Sequence, residues 1–376
     1  MTENKRINFN SATVALLLCL NSITWFLPVS EGGVVLIAAV AVILYLIAGN
    51  RVPNRSVLFV ICFNLLFFSP MLLGATEHQE KYLLEFIAVG IVSLSIAQSS
   101  FDNQKVFLYA SVIAIVLCPL IIKMDLTYRD PGSLMGLSYG ILRLICALCF
   151  LIMSDAIKKA YRLLLVIPII LYLGKYLLYA SRGAILSLFI FCALLFYIRY
   201  IKNKTISLTL ILISVLFVFL MFEPIIEFLS SYMSHYGIDV YAFEKILRMM
   251  DEGDVTNGRE NILQKGLAMG MESPIWGHGV AAYEDRFNEG YVHNIFAQLF
   301  IEGGLLLCLP YVYYILKAST YILAPENPSN ERKMMATLLS LSVVELLFSN
   351  YLWRNQVFWL FIGYTINILK NKKKYK

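Results

Sequence analysis

Residues 291–317 read YVHNIFAQLFIEGGLLLCLPYVYYILK, and this stretch decides the fold class. A polar pair, His293 and Asn294, stands before a long apolar run that contains one acidic residue, Glu302. An apolar run of about 17–25 residues has the length that crosses the hydrocarbon core of a bilayer as a helix. The stretch therefore predicts a membrane-spanning helix with an imidazole at its mouth.

The same pattern recurs along the whole chain of 376 residues, which is 59% hydrophobic and 15% charged with a mean hydropathy of +0.71. Soluble domains are about 45–50% apolar and about 25% charged, so this composition excludes a large soluble α-protein. We predict an all-α polytopic membrane protein with about twelve transmembrane helices. The predicted spans are 11–27, 33–49, 56–74, 82–97, 106–123, 138–156, 162–180, 184–201, 206–222, 294–317, 334–350 and 354–369.

Two further features of these spans bear on the class of protein. No small-residue cleavage site of the A-x-A type follows the first apolar run, so it is expected to be an uncleaved anchor rather than a signal peptide. The 7 cysteines all fall inside predicted spans. This placement favours apolar packing over disulfides or a metal site.

The distribution of lysine and arginine orients the chain. Nineteen of these residues lie at one set of span ends or in the tail, and five lie in the short loops on the other side. Because cytoplasmic loops are enriched in Lys and Arg, both termini are predicted to be cytoplasmic. The basic tail KNKKKYK at 370–376 would then contact anionic membrane lipid.

The long segment 223–292 is predicted to lie on the extracytoplasmic side, between helices 1–9 (residues 1–222) and helices 10–12 with the tail (residues 293–376). It holds twelve acids and five bases, and a loop of this length usually has a function or its own structure. Residues 241–250 show an apolar stripe at helical spacing. Asn257 and Glu260 form a capping-box pattern before a second helix that Gly270 and Pro274 would end. We expect two short amphipathic helices over the outer membrane face.

Several cations stand where they are unfavourable for stability. Arg143 and Lys175 fall inside spans six and seven, where a charge costs at least about 2.5–3.5 kcal/mol near the bilayer centre, and either could instead reach the headgroups. More guanidinium groups are predicted on the same outer side: Arg129, Arg182, Arg259, Arg286 and Arg354. Guanidinium binds phosphate oxygens in pairs, which favours a diphosphate ligand.

Arg259 and His293 occupy the starts of predicted helices. A helix N-terminus attracts anions, so Arg259 in the first turn suits a phosphate held between the two, although it could also simply be exposed to water. His293 at such an end should have a lowered pKa and could act as a general base. It could equally cap the helix or bind a headgroup. Glu302, about 13 Å deeper in the same helix, is predicted to pair with a buried cation.

The ordered run 257–306 resembles the O-antigen polymerase (Wzy) and O-antigen ligase superfamily. The resembling elements are GR at 258–259, a helix, P-x-x-G-x-G at 274–279, HN at 293–294 and E-x-G at 302–304, with SRGA at 181–184 upstream. The resemblance covers about residues 175–310. It implies an architecture similar to that of GT-C glycosyltransferases and transfer of a glycan from undecaprenyl diphosphate to a sugar hydroxyl.

The resemblance also implies roles for individual residues. Arg182 and Arg259 would bind the diphosphate, and His293 would activate the acceptor hydroxyl or steady the leaving group. A loop carboxylate, Asp251, Asp254 or Glu284, remains an alternative base. Arg129, Arg143, Lys175 and Arg286 are further candidates for binding the lipid-linked substrate.

These observations favour an O-antigen polymerase of lipopolysaccharide biosynthesis in the bacterial inner membrane. Its substrate would be an undecaprenyl-diphosphate-linked oligosaccharide on the periplasmic side. Its other expected partners are membrane lipid and a chain-length regulator. No metal, cofactor or nucleic acid is expected. The alternatives are an O-antigen ligase, a polysaccharide or lipid transporter, and a non-catalytic scaffold. The long loop after span nine argues against the two-halves plan of many transporters, which also contain broken helices near the midplane.

Overall fold

The computed structural model describes residues 2–24, 55–124, 131–154, 157–179, 181–200 and 258–374, with isolated positions between 40 and 46 and between 209 and 247. Within these residues the fold is all-helical, without a strand, as predicted. Two predicted spans, 33–49 and 206–222, and the predicted helix at 241–250 lie largely outside the described residues.

Fourteen α-helices are used in the description below. They are α1 Glu3–Leu18, α2 Leu20–Thr24, α3 Arg55–Leu66, α4 Glu77–Glu85, α5 Val92–Ile96, α6 Asn103–Lys123, α7 Pro131–Met153, α8 Lys159–Tyr179, α9 Arg182–Tyr200, α10 Arg259–Glu272, α11 Ala282–Phe287, α12 Ile295–Leu323, α13 Ser329–Phe348 and α14 Gln356–Lys374. Short 3-10 turns occupy Ser69–Leu73 and Leu352–Arg354, and a π-helical turn at Phe86–Ile91 joins α4 to α5.

Four described segments are long and apolar enough to cross a membrane. They are Asn103–Lys123, Gly136–Met153, Gly183–Tyr200 and Ile295–Leu323. The other predicted spans inside the described ranges are also helical, and several are shorter or more charged. The membrane class of the chain therefore agrees with the prediction, while the number of twelve spans remains a prediction.

The centre of the structure is an aromatic cluster beside the connection from α13 to α14. The ring of Trp353 lies 4.9 Å from that of Phe68 and 5.3 Å from that of Phe86, measured between centroids. Trp359 on α14 contacts Phe86 at 4.8 Å and is fully buried. Such aromatic pairs add about 0.5–1.5 kcal/mol each beyond their buried area. They fix the α13–α14 connection, which carries part of the site described next.

Candidate functional site

Helix α10 lies across the N-terminal half of α12, and two glycines permit the close contact. A Cβ atom on Gly266 would lie 2.7 Å from Cδ1 of Ile301, and one on Gly270 would lie 2.7 Å from Cδ1 of Phe300. At both distances the neighbouring side chain would have to shift to admit a Cβ atom. The contact therefore fixes the start of α10, where Arg259 stands, relative to the mouth of α12.

Helix α12 is broken at Gly304, whose backbone angles are φ 58 and ψ −155. The break frees N–H groups of the next turn, and a neighbouring loop takes them up. The N–H of Leu305 donates to the carbonyl of Pro274 at 2.8 Å, and that of Leu306 donates to the carbonyl of Ile275 at 3.2 Å. Residues 274–279 thus replace part of the hydrogen bonding that a continuous helix would make.

The same loop donates hydrogen bonds in return. The N–H of His278 binds the carbonyl of Ile301 and the N–H of Gly279 binds the carbonyl of Glu302, both at 2.9 Å. A Cβ on Gly277 would lie 2.4 Å from the backbone nitrogen of Gly303. We call this exchange between residues 274–279 and residues 301–306 the interlock. The P-x-x-G-x-G and E-x-G motifs therefore have the same structural role, because together they form the interlock.

His293 precedes α12 directly, and Asn294 caps the helix by accepting from the N–H groups of Phe296 and Ala297 at 3.0 and 3.2 Å. The imidazole is half-buried, and its ring centroid lies 4.4 Å from that of Tyr291. Its Nδ1 atom is buried and has no hydrogen-bond partner within the described part of the chain. Burial, followed by the positive charge of Arg259, lowers the pKa of His293 from 6.5 to about 4. The ring is therefore neutral at pH 7.

Arg259 is the first residue of α10, and one of its guanidinium nitrogens donates to the carbonyl of Phe348 at 2.5 Å. Phe348 ends α13, where the helix carries negative partial charge, so this end offsets the unfavourable N-terminus of α10. The N-cap of α10 is Gly258 in the left-handed conformation, with no side-chain capping bond. The structure thus begins α10 one residue later than the capping pattern predicts, and Asn257 itself lies outside the described residues.

The start of α9 contacts the same residue. A Cβ on Gly183 would lie 2.6 Å from Cβ of Phe348 and 2.5 Å from the hydroxyl of Tyr139, so only glycine fits here. Arg182 immediately precedes Gly183 and is the first residue of α9, while its side chain lies outside the described part. The backbone of Arg182 and the guanidinium of Arg259 thus both converge on the C-terminal end of α13.

Tyr291 and Asn350 link His293 to a buried ion pair. The backbone N–H of Asn350 donates to the hydroxyl of Tyr291 at 3.0 Å, and its side-chain amide donates to Glu345 at 3.0 Å. The other carboxylate oxygen of Glu345 accepts from Arg143 at 3.1 Å. Both charged side chains are fully buried or nearly so, at 0% and 3% exposure. No sequence motif indicates a role for Tyr291, Asn350 or the carbonyl of Phe348, and only the polar pair at 349–350 between two apolar runs signals such a place.

The remaining predicted cations lie in other settings. Lys175 donates to the backbone carbonyl of Met124 at 2.9 Å. Arg286 is exposed and pairs with Glu272 at 2.6 Å. Arg129 lies outside the described residues. The structure therefore does not place Lys175 or Arg286 in the group formed by Arg259, His293 and the start of α9.

Glu302 was predicted to pair with a buried cation, and this prediction is wrong for the described residues. Its carboxylate accepts instead from three neutral donors: the indole of Trp353 at 2.9 Å, the amide of Gln298 at 3.1 Å and the backbone N–H of Ala281 at 3.3 Å. Glu302 therefore joins α12, the loop after the interlock and the α13–α14 connection. Its role is structural, because the three hydrogen bonds that it accepts fix these elements relative to one another.

Among the alternative bases, only Glu284 is described, since Asp251 and Asp254 fall outside the described ranges. Glu284 is buried and accepts a hydrogen bond from the hydroxyl of Tyr82 at 2.8 Å. Burial raises the pKa of Glu284. Its carboxylate is thus already engaged, whereas the Nδ1 atom of His293 is not.

The chemistry of this group is a neutral imidazole beside a guanidinium held by a neutral carbonyl. Because Arg259 is bonded to a carbonyl rather than a carboxylate at Phe348, that contact leaves its positive charge uncompensated. Such a pair can bind an anion and accept a proton at adjacent points. No group of three or more potential metal ligands occurs in the described part of the chain.

One comparison with known proteins gives a match. Residues 167–312 match the family model described as Wzy_C: O-Antigen ligase. The match covers less than half of the chain, runs from within α8 to within α12, and includes Arg182, Arg259 and His293. No curated protein and no solved structure matches the chain. Over residues 167–312 the match supports the superfamily resemblance that the ordered motifs of the sequence indicate.

Proposed function

We propose, from the premise that residues 167–312 form a domain of the O-antigen ligase family, that the chain is a membrane glycosyltransferase. It polymerises a surface polysaccharide by transferring glycan repeat units from an undecaprenyl diphosphate donor to a sugar hydroxyl of a lipid-linked acceptor. The observation that carries the proposal is that the start of α9 and Arg259 both contact the end of α13, while the charge of Arg259 acts on His293.

The proposed step is a displacement at the anomeric carbon of the donor sugar. The acceptor oxygen bonds to that carbon from the face opposite the diphosphate, and the bond from carbon to phosphate oxygen breaks with its electron pair leaving on the diphosphate. Arg259, with Arg182 at the start of α9, stabilises the negative charge that grows there. Removing one such preplaced donor typically costs about 10²–10³ in rate.

His293 takes the proton that the acceptor hydroxyl loses. Its lowered pKa keeps the imidazole unprotonated at pH 7, and the side chain is only half-buried at the mouth of α12. A positioned base of this kind contributes a factor of about 10²–10⁴. In this proposal Arg143 has no direct contact with the diphosphate, because its charge is already neutralised by Glu345.

The test is deletion of the gene in its bacterial host, followed by complementation and a gel of the surface glycan. Deletion should leave a single repeat on the lipid anchor, and the unaltered gene should restore the ladder. His293→Ala and Arg259→Ala should be present in the membrane at normal amounts yet fail to restore it. Lys265→Ala is the matched control, because this cation of α10 is half-exposed and already paired with Glu289 at 2.6 Å. A normal ladder from either site variant would remove that residue from the mechanism.

A ligase that transfers the finished polysaccharide to the lipid A-core is the second candidate, favoured by the description of the matching family model. The same deletion separates the two functions. Loss of a ligase leaves full-length polymer on the carrier lipid and no repeats on the core, whereas loss of a polymerase leaves one repeat.

A further inference from the structure

The last turn of α10 and the interlock loop that follows it carry a group of exposed apolar side chains. Met271, Ile275 and Trp276 are 68%, 55% and 70% exposed. Further exposed leucines stand on the segments that contact the loop: Leu72 and Leu73 belong to the turn whose Pro70 packs against Gly279, and Leu305, Leu306 and Leu309 belong to α12. A contiguous apolar surface of this kind on a protein marks contact with another apolar phase or partner.

The depth of this surface follows from the hydrogen bonds of the interlock. The carbonyls of Pro274 and Ile275 accept from Leu305 and Leu306, which stand ten and eleven residues after the start of α12 at Ile295. At a rise of 1.5 Å per residue, this is about 15 Å along the helix axis. Helix α12 is one of the segments long and apolar enough to cross a membrane. The loop therefore lies beside the part of α12 that the hydrocarbon surrounds.

Most backbone N–H groups of residues 273–280 are hydrogen-bonded within the protein. Non-helical backbone at membrane depth is tolerated only where its polar groups are bonded or buried in protein. Pro274 has no N–H, and the N–H groups of Gly277, His278, Gly279 and Val280 donate to Ser273, Ile301, Glu302 and Phe67 at 2.9–3.2 Å. The imidazole of His278 is bonded to the carbonyl of Met269 at 2.7 Å.

The one charged residue inside this stretch does not contradict such a location. Glu272 is paired with Arg286 at 2.6 Å, and each is about half-exposed. Because an ion pair carries no net charge, this contact can mark the polar edge of the apolar surface, where α10 meets α11.

We infer that residues 271–276 form a re-entrant segment that inserts into the hydrocarbon of the leaflet surrounding the N-terminal half of α12. Its partner is the acyl chains of the bilayer lipids, because the exposed face of the segment continues the exposed face of a spanning helix. This differs from the sequence-based expectation that the helices of the long loop lie over the membrane face. The inference does not depend on the proposed function.

Trp276 provides the test, because the other tryptophans described, Trp353 and Trp359, are fully buried. The purified full-length chain is placed in phosphatidylcholine vesicles with or without bromine on the acyl chains. The fluorescence lost in the Trp276→Phe variant defines the Trp276 component. Brominated lipid should remove most of this component, and aqueous iodide should leave it nearly unchanged.

A second variant calibrates the result. Leu309→Trp in the Trp276→Phe background reports the quenching of a side chain exposed on the spanning helix, where Leu309 is 58% exposed. Similar quenching of Trp276 and of this reference by brominated lipid would support insertion. Quenching of Trp276 by iodide and not by brominated lipid, with the reference behaving normally, would overturn the inference. Neither outcome depends on glycan synthesis.

Discussion

Two arginines meet helix α13 a turn apart, and they are held in opposite ways. Arg143 is fully buried and bonded to the carboxylate of Glu345. Arg259 is half-buried and bonded to the carbonyl of Phe348 at the end of the same helix. The first cation is neutralised by its partner, while the second keeps a net charge that reaches His293. The difference separates a cation that holds helices together from one that can bind an anion.

The largest expected effect on stability comes from removing the buried cation Arg143. Arg143→Met should lower the free energy of unfolding by about 3–5 kcal/mol, because it leaves the carboxylate of Glu345 buried without a cation. The measurement is the unfolding transition of the detergent-purified protein. The double variant Arg143→Met with Glu345→Gln removes the orphaned charge and should recover much of the loss. Equal losses of unfolding free energy in the single and double variants would show that the unpaired carboxylate does not cause the destabilisation.

A medium loss of stability is expected from a substitution in the interlock, which would affect the Arg259 side of the comparison through α10. Gly304→Ala should cost about 1–3 kcal/mol of stability, because it places a side chain in a backbone conformation suited to glycine and 2.4 Å from the carbonyl carbon of Ile275. Loosening the interlock should also displace α10 and reduce glycan synthesis.

Gly174 offers the matched control for this change. It lies inside α8, and a Cβ there would meet nothing within 4 Å. Gly174→Ala should therefore be neutral or stabilise by about 0.5–1 kcal/mol, as alanine does in helix interiors. Identical unfolding transitions for Gly304→Ala and Gly174→Ala would argue that the interlock carries no stability.

The smallest effect is a shift in the titration of His293. Removing the charge with Arg259→Ala should raise the pKa of His293 above about 4, yet leave it below 6.5, because burial is the larger cause of its lowering. Arg259→Lys keeps a positive charge and should leave the pKa low. The measurement is NMR of the chain labelled at histidine, with the His293→Gln variant used to assign the signal. An unchanged pKa in Arg259→Ala would mean that the two side chains do not interact.

The sign of the pH dependence follows from the same shift. Between pH 6.5 and about 4 the unfolded chain binds a proton that folded His293 does not. The contribution of His293 to stability is therefore present above pH 6.5 and is lost as the pH falls toward 4. For catalysis, an acid limb caused by His293 should lie near pH 4 in the free enzyme.

Features that depend on local sequence could be predicted well. The lengths of the apolar runs predict α6, α9 and α12 within a few residues, and Arg259 does fall in the first turn of a helix. His293 does precede a helix, with the adjacent Asn294 as its cap. Local spacing is sufficient for such statements because a helix and its cap involve neighbouring residues only.

Features that depend on distant partners could not be predicted. Glu345 is 202 residues from Arg143 in the chain, so no spacing indicates their pairing. The break at Gly304 depends on the loop at 274–279, and the apolar periodicity continues through it. The lowered pKa of His293 was expected from the helix N-terminus, whereas its causes are burial and Arg259. The predicted direction of the pKa shift of His293 is therefore right, while its physical origin differs from the predicted one.

The interlock also bears on how the chain is made in the cell. The two amides beyond Gly304 donate to carbonyls of the loop, and an α12 broken at Gly304 without that loop would leave both unbonded in lipid, at a cost of several kcal/mol each. Residues 274–279 are synthesised before α12, so their carbonyls are already present when that helix leaves the ribosome. The order of the motifs along the gene thus suits vectorial biogenesis, in which each new helix meets a partner that has preceded it.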